Sequence, residues 1–464
     1  MSVLHSRSDP MTWRRELVAT LRLSWPLVLT QLATIALTTV DVIMIGWLGP
    51  DELAAATLAT SLIFPLTFFG IGLLAATAAM FSQEIGAIRL RGVRRTLRQG
   101  FWVAISLCLP CLVFLWYGEA LMLLMGQDPS LAASAADYVR IAMWGLLPLM
   151  CFTVLRNLVT AHSRPRSSMI ILLLAIGVNA LADYALIFGN FGAPALGLEG
   201  AALATLIVQC FMLLAQTTFV VTDRKFRRYN LFGRFWRPDW ARYSEIMKIG
   251  IPIGLTVLAE AGLFAASAFM VGLFGPDQLA AHAVAIQCTS VAFMVPLGVS
   301  QAATIRVGLA MGRDRLKDAL LAGRISTIVG VGIATLTALL FWLATEPLVG
   351  FYLRLGDPEN AAAIALAVEF IRIAAVFQLV DAGQAVGAGN LRGMKDTTIP
   401  AILAFLGYWV FGFSAGAYLA FSYGLQGAGV WMGLAVGLTA ACFALILRFE
   451  LLMRRAIKQH PSFA

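Results

Sequence analysis

Long apolar runs constrain this chain more than any other feature of its sequence. Each run is roughly 18 to 30 residues long, and a helix of about 20 apolar residues crosses a hydrocarbon core of roughly 30 Å. Membrane-spanning β-strands would instead alternate apolar and polar residues over about ten positions, which these runs do not do. We therefore predict an all-α polytopic membrane protein. Twelve spans are predicted, at about residues 20–47, 53–82, 99–125, 138–161, 168–190, 197–222, 246–274, 279–305, 321–352, 364–391, 397–422 and 425–449.

The composition supports this class. Of the 464 residues, 60% are hydrophobic and only 13% are charged, whereas soluble domains have about 25% charged residues. The N-terminal stretch lacks a short apolar segment followed by a small-residue cleavage site, so we expect no signal peptide to be removed.

The basic residues are distributed unevenly between the two sides of the predicted membrane. If the N-terminus is cytoplasmic, all but three of the 34 Lys and Arg lie on the cytoplasmic side or at helix ends there. The exceptions are Arg140, Arg354 and Arg372. This asymmetry predicts a protein of the cell inner membrane with both termini in the cytoplasm. The net charge of +9 therefore indicates contact with bilayer lipids, and we expect no nucleic-acid partner.

The chain contains an internal repeat. The segment "GWLGPDELAA" (46–55) matches "GLFGPDQLAA" (272–281) at an offset of 226 residues, and "GLEGAA" (197–202) matches "GLQGAG" (424–429) at an offset of 227. We interpret the chain as one six-helix unit used twice. The predicted parts are a first bundle at 1–222, a basic cytoplasmic linker at 223–245, and a second bundle with a short tail at 246–464.

Six spans per copy give both bundles the same orientation. Such halves are related by a pseudo-twofold axis along the membrane normal, and in transporters of this design the substrate site lies between them. This organisation favours a transporter that works by alternating access. Because the repeat already supplies both halves of a cavity, we expect a monomer.

Four carboxylates fall inside predicted spans, where an acid costs about 2.5–3.5 kcal/mol on insertion scales. They are Asp41, Asp183, Glu260 and Asp381. Asp41 and Asp183 each lie six residues, or about 9 Å, from the outer end of their span. Such costly residues predict functional sites, although hydrogen-bonded ties between helices are the alternative.

The first half of the chain can assemble a polar cluster in its outer part. Asn179 lies one helical turn before Asp183, and Thr205 lies at a similar depth in the next span. We expect Asp41, Asn179, Asp183 and Thr205 to converge. Oxygen ligands of this kind suit a proton or a hard cation such as Na⁺.

The second half does not repeat that pattern. Ser267 occupies the position equivalent to Asp41, and Glu260 the position equivalent to Thr34. Asp381 has Gln378 and Gln384 on either side of it at helical spacing. Acidic groups at different positions in the two halves are consistent with separate cation and drug roles.

Several motifs resemble the multidrug and toxic compound extrusion (MATE) family over the whole chain. They are "DVIMIGWLGPDELAA" (41–55), "GLFGPDQLAAHAVAIQ" (272–287), "NALADYALIFG" (179–189) with "GLEGAALAT" (197–205), and "GNLRGMKDTTIP" (389–400). The glutamate in "LAEAGLF" (258–264) makes the chain similar to the NorM-type branch.

The resemblance implies an antiporter that exports organic, often cationic, amphipathic compounds in exchange for Na⁺ or H⁺, without a cofactor. It implies cation binding, with Na⁺ as a candidate metal, at Asp41, Asn179, Asp183 and Thr205. It links Glu260 and Asp381 to cation coupling and drug export. Phe377 stands where relatives can carry a tyrosine. The candidate substrate-contacting residues are Gln31, Thr34, Gln287, Phe377 and Gln378.

Other function classes account for the sequence less well. A flippase for lipid-linked precursors is the nearest alternative, but it would be expected to have more spans and a basic cavity. Motifs such as "GxxxxGK" and "HExxH" are absent from the sequence, so we do not expect an enzyme. A channel would not account for the two paired halves.

Overall fold

Twelve long helices form the framework of the protein in the computed structural model, which describes residues 12–227, 229, 233, 236–354 and 360–459. All twelve are long and apolar enough to cross a membrane. In chain order they are α1 (Trp13–Gly46), α2 (Pro50–Gly86), α3 (Leu90–Trp116), α4 (Pro129–Ala161), α5 (Arg166–Phe188), α6 (Leu198–Thr222), α7 (Trp240–Gly272), α8 (Pro276–Gly312), α9 (Leu316–Leu343), α10 (Ala361–Gly393), α11 (Thr398–Ser422) and α12 (Gln426–Gln459). The predicted all-α membrane fold is thus confirmed.

Backbone hydrogen bonding explains why the spans are helical. Lipid offers no partners for N–H and C=O groups, so a spanning segment must satisfy them internally. Threonine hydroxyls inside the spans follow the same rule: Thr57 and Thr335 donate to carbonyls one turn back, at 2.7 Å and 2.8 Å. Pro50 and Pro276 occupy the first position of α2 and α8, where a missing N–H costs nothing.

Two predicted spans end earlier than their hydropathy indicated. α3 stops at Trp116 rather than near 125, and α9 at Leu343 rather than near 352. A short helix follows each break, Gly118–Leu124 and Thr345–Gly350. The apolar composition continues across both breaks, so hydropathy alone could not locate them.

Four tight turns join pairs of consecutive helices through a residue in the left-handed conformation. These residues are Ile88, Ser163, Asp314 and Lys395, with φ between 58° and 62°. At the first turn, the N–H of Arg89 donates to the Glu84 carbonyl at 2.9 Å, and that of Ile88 to the Ile85 carbonyl at 3.1 Å. This is the Schellman pattern, which usually places glycine where Ile88 stands.

By their contacts, the residues group into two compact units. The N-terminal unit is Leu29–Leu258, and the C-terminal unit consists of Met1–Val28 with Ala259–Ala464. The boundaries therefore fall inside α1 and α7, and not in the linker at 223–245. The bundles predicted at 1–222 and 246–464 describe the two copies of the duplicated sequence and not these compact units. Their boundaries stay a prediction.

Glycine contacts bring helices of the N-terminal unit close together. A Cβ atom on Gly72 of α2 would lie 2.9 Å from the Gly254 Cα in α7, and a Cβ on Gly250 would collide with the Leu73 carbonyl. Small residues allow such close packing in membrane proteins. Near the same end of α7, Arg242 forms ion pairs with Glu84 of α2 and with Glu245, and the side chains of Arg242 and Glu84 are both buried.

In the C-terminal unit, α10 packs along α8, α9 and α12. The hydroxyls of Ser300 and Thr304 in α8 donate to the carbonyls of Ala385 (2.6 Å) and Gly389 (2.9 Å) in α10. The buried Glu16 of α1 accepts two hydrogen bonds from Arg306 of α8, one of them 2.8 Å long. The helices α1 and α10 are therefore fixed to α8 by polar contacts as well as by packing.

The helix α11 departs from regular α-geometry. Leu406–Phe413 and Tyr418–Ser422 are π-helical. Glycines let it approach α12, since a side chain on Gly433 would collide with Gly416. π-Helical segments often accompany functional sites, and this one contains Tyr408 and Trp409.

Candidate functional site

A polar cluster in the N-terminal unit is centred on Asn179 of α5. Its Nδ2 donates to Asp41 Oδ1 of α1 and, at 2.8 Å, to Asp183 Oδ2 one turn further along α5. Asn179 is 2% exposed and Asp183 is fully buried. The structure thus brings together three of the four residues predicted for this site; their role as cation ligands stays a prediction.

The fourth predicted residue, Thr205 of α6, joins the cluster indirectly. Its hydroxyl donates to the Ala201 carbonyl at 3.1 Å and lies beside the buried phenol of Tyr138. Tyr138, in α4, also interacts electrostatically with Asp41 and Asp183. Tyr138 was not predicted as a site residue, although it stands in the segment "DYVRIA" (137–142), which matches "EFIRIA" (369–374) in the second half of the chain.

The two carboxyl groups of this cluster lie close enough to interact with each other. Asp183 Oδ1 is buried without a hydrogen-bond partner among the described residues, and neither acid has a salt bridge to a basic side chain there. Two adjacent carboxylates in apolar surroundings require a proton or a cation to compensate their charge. Asp41, Asp183, Thr205 and Tyr138 provide oxygen atoms suited to a hard cation.

A second polar cluster lies in the core of the C-terminal unit around Asp381 of α10. Gln378 Nε2 donates to the Thr289 carbonyl of α8 at 3.1 Å, and Gln384 Nε2 donates to the Tyr408 hydroxyl of α11 at 2.5 Å. One side-chain oxygen each of Gln378, Asp381 and Gln384 is buried without a partner in the described part of the chain. These three unpaired acceptors are three residues apart along α10, so a bound proton or cation would satisfy oxygens that the protein leaves unpaired.

Glu260 of α7 belongs to the same electrostatic neighbourhood. It interacts with Asp381 and with Arg392 of α10. The neighbouring Ala259 carbonyl accepts a hydrogen bond of 3.1 Å from Trp409 of α11, which ties α7 to the π-helical segment. Arg392 and Tyr408 were not predicted from the sequence as members of this site. A tyrosine in the middle of an apolar span was the available signal for Tyr408.

The five candidate substrate-contacting residues lie in different environments. Phe377 and Gln378 are buried in the core of the C-terminal unit, where Phe377 packs on Phe264 and Trp431 with ring centroids 6.2 Å and 5.7 Å apart. Thr34 and Gln287 are exposed, and Gln31 is half-buried. Their contact with substrate stays a prediction.

Neither cluster resembles a transition-metal site. Within the described ranges, His, Cys, Asp and Glu form no group of three that could hold a metal ion. The available donors are carboxylate, amide and hydroxyl oxygens, which favour Na⁺ or a proton over softer metals.

Comparison with known sequences identifies the family. The MatE family model matches residues 26–185 and 252–418, so the two matches begin at the 226-residue offset of the repeat. The protein named "Probable multidrug resistance protein NorM" of Brucella suis biovar 1 is 46% identical over 440 residues, which are 94% of this chain and 93% of that protein. The protein of the same name from Mesorhizobium japonicum is 44% identical over 446 residues, 96% of each chain.

Solved structures share the fold. A multidrug resistance MATE family transporter in an outward-facing conformation matches with a TM-score of 0.85 at 19% identity, covering 97% of this chain and all of that one. The eukaryotic MATE transporter AtDTX14 matches with a TM-score of 0.84 at 18% identity, covering 96% and 99%. Family model, sequence relatives and fold agree, and the chain therefore belongs to the MatE family of multidrug and toxic compound extrusion transporters, alongside proteins named NorM.

Proposed function

We propose that this protein is a multidrug antiporter that exports organic, often cationic, amphipathic compounds in exchange for Na⁺ or H⁺. The proposal rests on the carboxylates of Asp41 and Asp183, which Asn179 joins by hydrogen bonds. Neither carboxylate has a basic partner among the described residues. Such a pair holds a cation reversibly, because its charge must be compensated whenever the surroundings are apolar.

Exchange follows from competition at the carboxylates. A carboxylate that holds a proton or Na⁺ attracts an organic cation less, and a bound organic cation disfavours the small ion. If each ion favours a different conformation of the protein, its gradient shifts the population between them without ATP. The cluster around Asp381 and Glu260 is the second place where such competition occurs in this proposal.

The family assignment supports the transport role. The relatives are named multidrug resistance proteins, and as a member of a transporter family the chain is not an enzyme. The names of these relatives do not favour a lipid-linked precursor flippase. On the basis of its basic-residue asymmetry, we place the protein in the cell inner membrane with both termini in the cytoplasm. We propose a monomer because the internal repeat already supplies both halves of a cavity.

Gradient-driven efflux in proteoliposomes tests the proposal. A fluorescent organic cation is loaded into vesicles, and its release is followed under an imposed Na⁺ or H⁺ gradient. We expect release with wild-type protein, and release at the protein-free rate with Asp41→Asn. The matched control is Asp51→Asn, an exposed acid at the start of α2, which should retain efflux. Wild-type protein that gives no efflux under either gradient would overturn the proposal.

A further inference from the structure

One face of α3 carries a stripe of arginines at the end where the helix begins. The first nine residues of the helix contain Arg91, the adjacent Arg94 and Arg95 three and four residues later, and Arg98 seven residues later. Trp102 follows four residues after Arg98. The positive end of a helix dipole disfavours cations by about 0.3–1 kcal/mol each. Such a concentration of arginines therefore calls for a compensating anion.

The carboxylates of the protein supply only part of the negative charge that would compensate these arginines. Asp239 accepts two hydrogen bonds from Arg95, and this arginine holds the pKa of the Asp239 carboxyl below its usual range, so Asp239 is charged at neutral pH. Arg98 is attracted by Asp239 and repelled by Arg94, Arg237 and Arg95. The two other nearby acids, Glu84 and Glu245, are both paired with Arg242. The five arginines of this region, Arg94, Arg95, Arg98, Arg237 and Arg242, thus carry two more charges than its three carboxylates, Asp239, Glu84 and Glu245.

In the second repeat, the position equivalent to Arg98 is also an arginine. Arg324 of α9 lies 226 residues after Arg98, and it donates two hydrogen bonds, of 2.6 Å and 2.7 Å, to Glu450 of α12. Arg91, Arg94 and Arg237 have no ion pair with a described residue.

Tryptophans place this stripe at the membrane surface. Trp102 packs edge-on against Trp236 with ring centroids 6.2 Å apart, and Trp236 and Trp240 are 80% and 74% exposed. Tryptophan favours the level of the lipid headgroups. The apolar part of α3 begins at Phe101, so the arginines lie within about 12 Å of the helix start, at the boundary between water and hydrocarbon.

We propose that Arg94, Arg98 and Arg237, beside the Trp102–Trp236 pair, form a binding site for the phosphate of an anionic phospholipid. The phosphodiester provides the missing negative charge, and its acyl chains continue along the apolar part of α3. Arginine suits phosphate because its guanidinium donates two parallel hydrogen bonds.

Native mass spectrometry of the full-length protein, titrated with phosphatidylglycerol or phosphatidylcholine in detergent, tests the site. Each arginine near an anionic surface strengthens binding by roughly fivefold. The triple variant Arg94→Gln, Arg98→Gln, Arg237→Gln should therefore bind phosphatidylglycerol about a hundredfold more weakly, and binding of phosphatidylcholine should not change. Asp239→Asn, which retains a capping side chain before α7, should strengthen phosphatidylglycerol binding about fivefold.

Two further variants make the test decisive. Arg98 is buried, so the double variant Arg94→Gln, Arg237→Gln serves if the triple variant does not fold; we expect roughly twentyfold to thirtyfold weaker binding. Arg14→Gln, Arg22→Gln, Arg455→Gln removes the same net charge from exposed positions in the C-terminal unit and should bind phosphatidylglycerol like wild type. An equal loss in this control, equal binding of both lipids, or displacement of the lipid by inorganic phosphate would overturn the proposal.

Discussion

Asn179 satisfies two carboxylates with one amide group. Its two N–H bonds point to Asp41 and Asp183, so it sets the separation of the charges that a cation must compensate. Neither neighbour has a salt bridge to a basic residue in the described part of the chain. A change at this position therefore acts on both acids at once.

We expect Asn179→Ala to change the concentration of Na⁺ or H⁺ that gives half-maximal efflux by about fivefold or more, because each buried acceptor that loses its donor costs roughly 1–3 kcal/mol. The measurement is efflux from proteoliposomes across a series of coupling-ion concentrations. Asn190→Ala, which removes an amide bonded at 3.3 Å to the Tyr184 carbonyl, is the matched control and should leave that concentration unchanged. An unaltered value in Asn179→Ala would remove Asn179 from the coupling mechanism.

Ile88 stores backbone strain. It is a β-branched residue with φ 59° and its side chain is 65% exposed, so it gains little packing in return. A left-handed conformation costs an L-residue roughly 1–2 kcal/mol. Replacement by glycine removes this cost, but glycine also makes the unfolded chain more flexible, which offsets part of the gain in stability. We expect Ile88→Gly to stabilise the protein by about 0.5–1 kcal/mol, seen as a higher unfolding midpoint in detergent. Ile88→Ala retains a Cβ atom and should gain less; an equal gain would show that strain is not the cause.

At the scale of helices, two buried ion pairs hold the first helix of each repeat. Glu16 of α1 bonds to Arg306 of α8, and Arg242 of α7 bonds to Glu84 of α2. Glu16 and Arg242 are 226 residues apart, so they occupy equivalent positions with opposite charge. In both cases the first helix of one repeat is paired with the second helix of the other. The acid lies on the first helix in the pair between α1 and α8, and on the second helix in the pair between α7 and α2.

Breaking one of these pairs should be costly. Removing one partner of a buried ion pair leaves an uncompensated charge, at a cost of about 3–5 kcal/mol. We expect Arg306→Met to lower the free energy of unfolding by that amount, and the double variant Glu16→Met, Arg306→Met to recover most of it. Unfolding of the purified protein with increasing denaturing detergent gives the comparison.

The exposed pair of Arg324 and Glu450 provides the contrast for this prediction. Its arginine side chain is 46% exposed, and such pairs contribute about 0–1 kcal/mol. Arg324→Met should therefore have a small effect. Equal losses in Arg306→Met and Arg324→Met would show that burial does not set the strength of these pairs.

For the whole molecule, the sequence predicted the class of fold and the number of spans because apolar length is a direct requirement of the bilayer. It did not predict that α3 and α9 end at Trp116 and Leu343, since the chain stays apolar across those breaks. It also did not predict that the compact units divide inside α1 and α7, because hydropathy does not say which neighbour a helix contacts.

Site residues could be predicted from the sequence where placing them in an apolar span has a high free-energy cost. Asp41 and Asp183 stood out because acids are rare in apolar spans, and their depth indicated that they could meet. Tyr138 and Arg392 did not stand out as site residues, since tyrosine and arginine are common near span ends and membrane surfaces. Their membership depends on which face of the helix they occupy, and that is set by packing between helices.

We propose that a small cation and an organic cation compete for the same carboxylates. The most direct test is the apparent Kd of a fluorescent organic cation for the purified protein, measured against pH and against Na⁺ with choline as the replacement ion. We predict that lower pH or added Na⁺ raises the wild-type Kd, and that Asp41→Asn or Asp381→Asn reduces this dependence in a protein that still folds. A wild-type Kd that responds to neither ion would show that the two kinds of cation do not compete for these carboxylates.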